Sequence, residues 1–142
     1  MALFLRYAVR SDLGLVRGNN EDSVYAGPRL LAIADGMGGH AAGEVASKIV
    51  IGTLEHLDED RPIADLMAAL RDAVEDANSR ISEAVERDRQ LEGMGTTLTA
   101  LRFIEGRVGL VHVGDSRAYL LRGDTLAQIT HDDTYEIGRA HV

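Results

Sequence analysis

The strongest constraint on the fold is an apolar run that leads directly into an acid and a cluster of glycines. Residues 30–34 read Leu-Leu-Ala-Ile-Ala, and residues 35–40 read Asp-Gly-Met-Gly-Gly-His. A nearly continuous apolar run of this length is typical of a strand that is buried on both faces. The glycines let the backbone come close to whatever the carboxylate holds, which suits a metal or phosphate site. A tight turn has the same composition, so the hexapeptide alone leaves both interpretations open.

The composition limits the size of the protein and excludes several classes. The chain has 142 residues, of which 45% are hydrophobic and 4% aromatic, so we expect at most one domain with an aliphatic core. The net charge of −8 argues against binding to nucleic acid or to a membrane surface. The absence of cysteine excludes disulfides and thiolate–zinc sites. No signal peptide or membrane span is apparent, and we expect a cytoplasmic protein.

Hydrophobic periodicity and turn residues predict the order of the secondary structure. We expect helices over residues 40–57 and from about Asp60 to residue 85, with Asp60 as the N-cap of the second helix. The acids between Glu55 and Glu92 lie mostly opposite the apolar face of the second helix, so we interpret them as a solvated surface. This order predicts an α+β domain. The predicted strands cover residues 4–10, 23–26, 29–34, 96–103, 107–113, 118–121 and 125–129.

Acidic residues stand at the ends of three predicted strands, at Glu21-Asp22, Asp35-Gly36 and Asp115. Carboxylate oxygens in such positions can converge on a hard cation such as Mg²⁺ or Mn²⁺, although an acid beside a glycine is more often a turn residue. Arg17 lies four residues before Glu21. Its guanidinium could bind a phosphate through two parallel hydrogen bonds, or it could be a surface arginine.

Four motifs occur together in a fixed order between about residues 6 and 133. They are Arg17-x-x-x-Glu21-Asp22, Asp35-Gly36-Met37-Gly38-Gly39-His40, Gly95-Thr96-Thr97 and Gly114-Asp115-Ser116-Arg117. Their order and spacing resemble the metal-dependent serine/threonine phosphatases of the protein phosphatase 2C type. The resemblance implies a four-layer αββα sandwich, in which helix pairs flank two antiparallel sheets. Residues 1–133 would be the N-terminal part of that catalytic domain, so the sandwich is partial and truncated at the C-terminus. Residues 134–142 match no family motif and look like foreign or miscalled sequence.

The resemblance also implies a centre that holds two to three divalent cations, Mn²⁺ or Mg²⁺. Asp35 would bridge two of these ions, and Gly36 would bind one through its backbone carbonyl. Glu21 and Asp22 would orient metal-bound waters, and Asp115 would help to hold a third ion.

A further role comes from the same resemblance: Arg17 would bind the substrate phosphate. Some relatives carry a histidine directly after the Asp-Gly pair, where this sequence has Met37. His40 does not inherit that role, and we interpret it as a residue at the start of a helix. Glycines 38, 39 and 95 and the pair Thr96-Thr97 would pack turns under the site.

The implied function is the dephosphorylation of phosphoserine and phosphothreonine in proteins by metal-activated hydroxide. The expected partners are bacterial serine/threonine kinases and their substrates, and we expect a monomer. A longer parent protein could carry a membrane anchor, with this domain facing the cytoplasm. Two further aspartate motifs of the family are missing from this sequence, so we expect the chain to be inactive or weakly active.

Two other functions compete with this one. The first is a non-catalytic, phosphatase-like fragment that binds a phosphoprotein or a metal without turnover. The second is an esterase of the GDSL type, suggested by Gly114-Asp115-Ser116 with Ser116 as the nucleophile. In those esterases an aspartate lies three residues before the histidine near the chain end, and His141 has none. The esterase is therefore not favoured.

Overall fold

The computed structural model describes residues 5–15, 18–39, 41–59, 64–104 and 106–132. Short 3-10 turns at Glu55–Leu57 and Arg89–Leu91 follow the two α-helices. The predicted α+β class is confirmed. In chain order the elements are β1 (Asp22–Ala26), β2 (Leu30–Met37), α1 (Ala42–Leu54), α2 (Leu66–Arg87), β3 (Gly95–Thr96), β4 (Leu98–Ile104), β5 (Arg107–Val113), β6 (Tyr119–Arg122) and β7 (Thr125–Gln128).

The strands form two antiparallel sheets. The larger sheet has the order β1-β2-β4-β5, and the short strand β3 pairs with the end of β2. The smaller sheet is the hairpin of β6 and β7. These two sheets and two helices agree with the part of the αββα sandwich that the sequence predicts.

Both helices pack on one face of the larger sheet. Leu30, Ala32 and Ala34 alternate along β2 and are buried beneath them, whereas Ile33 between them is 43% exposed on the opposite face. This alternation follows from the two-residue period of a strand. The core lies between helices and sheet, and its fully buried members include Ala46, Val50, Leu54, Leu70, Ala77, Ile81, Met94, Leu98 and Ala100.

Helix α2 begins at Leu66, about one and a half turns later than the sequence predicts. Its N-cap is Asp65, whose side chain accepts a hydrogen bond of 3.0 Å from the Ala68 N–H. Asp60, the predicted cap, lies outside the described residues. The acids of this helix are exposed, as predicted. No helix in the described ranges is long and apolar enough to cross a membrane.

Two strand predictions are wrong. Residues 5–10 of the predicted first strand are irregular, and Tyr7 and Val9 remain about half exposed. A β-favouring pattern does not make a strand without a neighbour that bonds its backbone. Strand β2, in contrast, does not end at residue 34 but continues to Met37. Its last residues are paired on both sides, because β1 pairs with Asp35 and β3 pairs with Gly36.

Candidate metal centre

The acids of the candidate site lie where the ends of neighbouring strands meet. Asp22 at the start of β1 lies directly opposite Asp35 near the end of β2. Residues opposite each other in an antiparallel pair point to the same face. Asp22 and Asp35 therefore share the face that does not carry the helices. The structure thus brings together two of the acids that the sequence singles out.

Glu21 points to the other face of the sheet. The register continues by one residue, because the Gly36 N–H donates to the Glu21 carbonyl at 3.2 Å. The Glu21 side chain then turns toward the start of α1, since a Cβ on Gly43 would lie 2.0 Å from Glu21 Oε2. Ser47 of α1 also donates its hydroxyl to the Glu21 carbonyl at 2.7 Å. The backbone of Glu21 is therefore held by both a strand and a helix.

Gly36 allows β2 and α1 to come into direct contact. A Cβ on Gly36 would lie 1.8 Å from the Gly43 carbonyl oxygen. No larger residue fits there without moving the helix. The glycine after the aspartate is therefore required for packing, whatever its carbonyl binds.

Asp115 is exposed in the turn that follows β5, and Thr97 connects this turn to Asp35. The Asp35 N–H donates to Thr97 Oγ1 at 3.0 Å, and Thr97 Oγ1 lies 2.7 Å from Ser116 Oγ. Gly114 packs against Thr97, since a Cβ on Gly114 would lie 2.6 Å from Thr97 Cγ2. The third predicted acid therefore lies at the same end of the sheet as the first two.

An ion pair fixes the far side of the same turn. Arg117 donates from Nε and Nη2 to the two carboxylate oxygens of Asp132, at 3.0 and 2.6 Å. The hydrogen bond from Arg117 holds the pKa of Asp132 below its usual range, and the same bond raises the pKa of Arg117. Both groups stay charged at neutral pH, so the clamp does not depend on pH there.

The ligand chemistry of this end of the sheet fits a hard divalent cation in part. Carboxylates and backbone carbonyls supply only oxygen, which Mg²⁺ and Mn²⁺ prefer. Among the described residues, however, no three acidic or histidine side chains are grouped so that they could hold a metal ion. Arg17 and His40 lie outside the described residues. The described part of the chain therefore offers only a partial set of candidate ligands.

Two of the residues that organise this site have no role in the sequence prediction. Ser47 and Gly43 of α1 position Glu21 and Gly36. Their signal in the sequence is weak, because a small or hydroxylated residue in a helix is common. Only the packing of α1 against the strand ends shows why a small residue is required at positions 43 and 47.

Comparison with known proteins identifies the family of the chain. The sequence model of the protein phosphatase 2C family matches residues 19–140. The chain belongs to the protein phosphatase 2C family. The matched range includes residues 134–140, which we set apart on the sequence alone; the division at residue 133 stays a prediction.

Relatives in this family are similar in both sequence and structure. The serine/threonine protein phosphatase PstP of Mycobacterium tuberculosis is 66% identical over 135 residues, which are 95% of this chain and 26% of that protein. The serine/threonine phosphatase stp of Listeria welshimeri is 38% identical over 134 residues, 87% of this chain and 52% of that protein. This chain therefore spans about a quarter to a half of these curated relatives.

Solved structures of PstP superpose closely on the chain. The crystal structure of the Mycobacterium tuberculosis enzyme matches with a TM-score of 0.90 and 67% identity, over 92% of this chain and 56% of that one. The catalytic domain of PstP in complex with two manganese ions matches with a TM-score of 0.89, over 57% of that chain. The fold of the chain is therefore that of the family.

Proposed function

We propose that this chain is part of a metal-dependent phosphatase that removes phosphate from phosphoserine and phosphothreonine in proteins. The observation that carries the proposal is the arrangement of the strand ends. Asp22 and Asp35 lie opposite each other, and the Asp115 turn is bonded to the same place through Thr97 and Ser116. Support comes from the names of the relatives and from the two manganese ions in a PstP structure.

Each acid has a distinct role in this proposal. Asp35 would hold a divalent cation through its carboxylate, and Gly36 would do so through its backbone carbonyl. Asp22 and Glu21 would accept hydrogen bonds from water and orient it, and Asp115 would hold a further cation. Divalent cations at such a site lower the pKa of water and stabilise the charge on the phosphate oxygens.

The proposal extends to the substrate and to the level of activity. Arg17 would bind the substrate phosphate through its guanidinium, as its position before Glu21 suggests. The substrates would be proteins that bacterial serine/threonine kinases phosphorylate. Because no three-residue ligand group occurs in the described ranges, we expect weak metal binding and little turnover by this chain.

Calorimetric titration with Mn²⁺ tests the assignment of the metal site. We expect the chain to bind Mn²⁺ and the Asp35→Asn variant to bind it at least about tenfold more weakly, since a lost carboxylate ligand removes a charge-assisted contact. The matched control is Asp124→Asn, which removes an exposed carboxylate in the β6–β7 turn. Equal weakening by both variants, or no binding of Mn²⁺ by the unaltered chain, would contradict the assignment.

A phosphopeptide assay tests the reaction itself. We expect slow Mn²⁺-dependent release of phosphate from a phosphothreonine peptide, with loss of that release in Asp35→Asn. Fast turnover that Asp35→Asn abolishes would support the reaction but contradict the predicted weakness of this chain. Turnover that Asp35→Asn leaves unchanged would contradict both.

A non-catalytic binding fragment is the second candidate. The absence of a three-residue ligand group from the described ranges favours it. Binding of Mn²⁺ without release of phosphate would support this candidate over the enzyme.

A further inference from the structure

A single hydroxyl lies between two of the acid-bearing segments. Thr97 Oγ1 accepts the hydrogen bond from the Asp35 N–H at 3.0 Å and lies 2.7 Å from Ser116 Oγ. Thr97 itself is 1% exposed. A short chain of two hydroxyl groups therefore connects the backbone of Asp35 to the residue that follows Asp115.

This hydroxyl takes the place of a backbone acceptor. Strands β3 and β4 keep one register against β2, with Ile33 opposite Thr99 and Gly36 opposite Thr96. That register puts Thr97 opposite Asp35, where both residues would normally exchange backbone hydrogen bonds. The Thr97 N–H does donate to the Asp35 carbonyl, at 2.9 Å. The return bond from the Asp35 N–H goes instead to the Thr97 side chain.

The Thr97 carbonyl has a different partner in this arrangement. It accepts the hydroxyl of Thr96 at 2.8 Å, and Thr96 is completely buried. The interruption between β3 and β4 is therefore satisfied by side-chain hydroxyls. As a result, the hydrogen bond of the Asp35 N–H depends on the rotamer of the Thr97 side chain.

The Thr97 rotamer is fixed on two sides. Its methyl group faces Gly114, where even a Cβ would lie only 2.6 Å from Thr97 Cγ2. Its hydroxyl is bonded to Ser116 at the other side. A β-branched side chain has few χ1 rotamers to begin with. A shift of the Gly114–Ser116 turn would therefore be transmitted to Asp35.

We propose that Thr97 is a positioning residue that sets the spacing between Asp35 and the Asp115 turn. Its side chain is buried, and it acts through the Asp35 backbone and Ser116. The consequence for cation binding rests on the proposed function, whereas the coupling between the two segments does not. If Thr97 only filled space, a valine of the same shape would replace it without effect on Asp35.

Hydrogen exchange of the Asp35 amide, measured by NMR in the full chain without metal, tests the coupling. In Thr97→Val we expect this amide to exchange at least about tenfold faster, because its acceptor is lost. In Thr97→Ser, which retains the hydroxyl, we expect protection to return. Ser116→Ala should also speed the exchange of Asp35, although it alters a residue of a different segment.

The matched control is Thr99→Val. Thr99 lies two residues along the same strand pair and on the same face, and its hydroxyl is bonded to His112 Nδ1 at 2.8 Å. Thr99→Val makes the same substitution without touching the Asp35 acceptor, so it reports general weakening of the sheet. Equal acceleration of Asp35 exchange in both valine variants would overturn the proposal, as would unchanged exchange in Thr97→Val.

A Mn²⁺ titration by calorimetry then tests the consequence for the site. We expect Thr97→Val to weaken Mn²⁺ binding about tenfold, Thr97→Ser to restore it and Thr99→Val to leave it unchanged. Unaltered Mn²⁺ affinity in Thr97→Val would overturn the role toward the cation. If the unaltered chain binds no Mn²⁺ but the exchange pattern holds, the proposed function fails while the coupling stands.

Discussion

At Gly36 the packing of β2 against α1 requires a glycine, whatever the carbonyl of that residue binds. A Cβ there would lie 1.8 Å from the Gly43 carbonyl oxygen and 2.4 Å from its carbon, and both are backbone atoms. We expect Gly36→Ala to destabilise the chain by about 3 kcal/mol, because β2 and α1 must move apart. Urea unfolding followed by circular dichroism measures this change.

Gly52→Ala is the control for Gly36→Ala. Gly52 lies in the same helix α1, and a Cβ there would meet nothing within 4 Å. We expect Gly52→Ala to stabilise the chain by up to about 1 kcal/mol, the difference in helix propensity. Equal stability of Gly36→Ala and the unaltered chain would show that β2 and α1 do not approach as closely as described.

Tyr25 gives the chain a stability term that depends on pH. Its hydroxyl donates to Asp58 Oδ2 at 2.5 Å, and this bond, followed by burial, raises the pKa of Tyr25 from 10.0 to about 12. Because the folded pKa lies above the unfolded one, the term is fully present below pH 10 and is lost as the pH rises toward 12.

We therefore expect Tyr25→Phe to cost about 1.5 kcal/mol at pH 8 and markedly less at pH 12. Urea unfolding at the two pH values measures the free energy of unfolding of the variant and of the unaltered chain. Subtracting one from the other at each pH cancels the contribution of groups that titrate equally in both proteins. A cost that does not fall with pH would contradict the raised pKa of Tyr25.

At the scale of the elements, one buried arginine connects β4 to the segment that follows α1. Arg102 is 1% exposed; its Nε donates to the Leu57 carbonyl at 2.6 Å, and its Nη2 donates to the Glu59 carbonyl at 3.1 Å. Its Nη1 donates to the Phe103 carbonyl. Burial lowers the pKa of Arg102. The guanidinium nevertheless stays charged at neutral pH.

We expect Arg102→Met to destabilise the chain by at least about 3 kcal/mol, because three carbonyls in buried or partly buried hydrogen bonds lose their donor. Hydrogen exchange should accelerate first in the last turn of α1 and in residues 55–57. The control is Arg107→Met at the exposed start of β5. A similar small loss in both variants would mean that the bonds of Arg102 to the carbonyls add little.

The elements also show what the sequence can and cannot predict. Residues 107–113 are a strand as predicted, because alternation along a half-buried strand is a local signal. The end of β2 and the position of Asp35 within it depend on partners up to about sixty residues away, so residues 35 and 36 look like a turn. The burial of Arg102 is not predictable from the sequence for the same reason, since its acceptors belong to another element.

The candidate site follows the same division. The motifs identify Asp22, Asp35 and Asp115, and the structure places them at one end of the sheet. The hydroxyl of Thr97 and its bond to Ser116 are not predictable, because they depend on how three strands align. The sequence therefore identifies the candidate acids, whereas the geometry that spaces them arises from strand pairing.

At the scale of the whole molecule, the side of the larger sheet opposite the helices is only partly covered in the described part of the chain. Ile33 and Val108 are 43% and 52% exposed, and Val108 also lies on the helix-free face. The β6–β7 hairpin adds Leu121 and Leu126, at 68% and 64%. Apolar surface of this kind binds amphiphilic dyes.

We therefore expect the folded chain to bind the dye ANS with a clear rise in fluorescence under native conditions. Leu121→Lys should reduce the fluorescence, because it places a charge in the exposed apolar surface. Met67→Lys is the control, since Met67 is 53% exposed on α2 at the other side of the molecule. Circular dichroism checks that both variants remain folded. If Met67→Lys lowers the fluorescence as much as Leu121→Lys does, the dye does not distinguish the hairpin from the helices and the prediction is wrong.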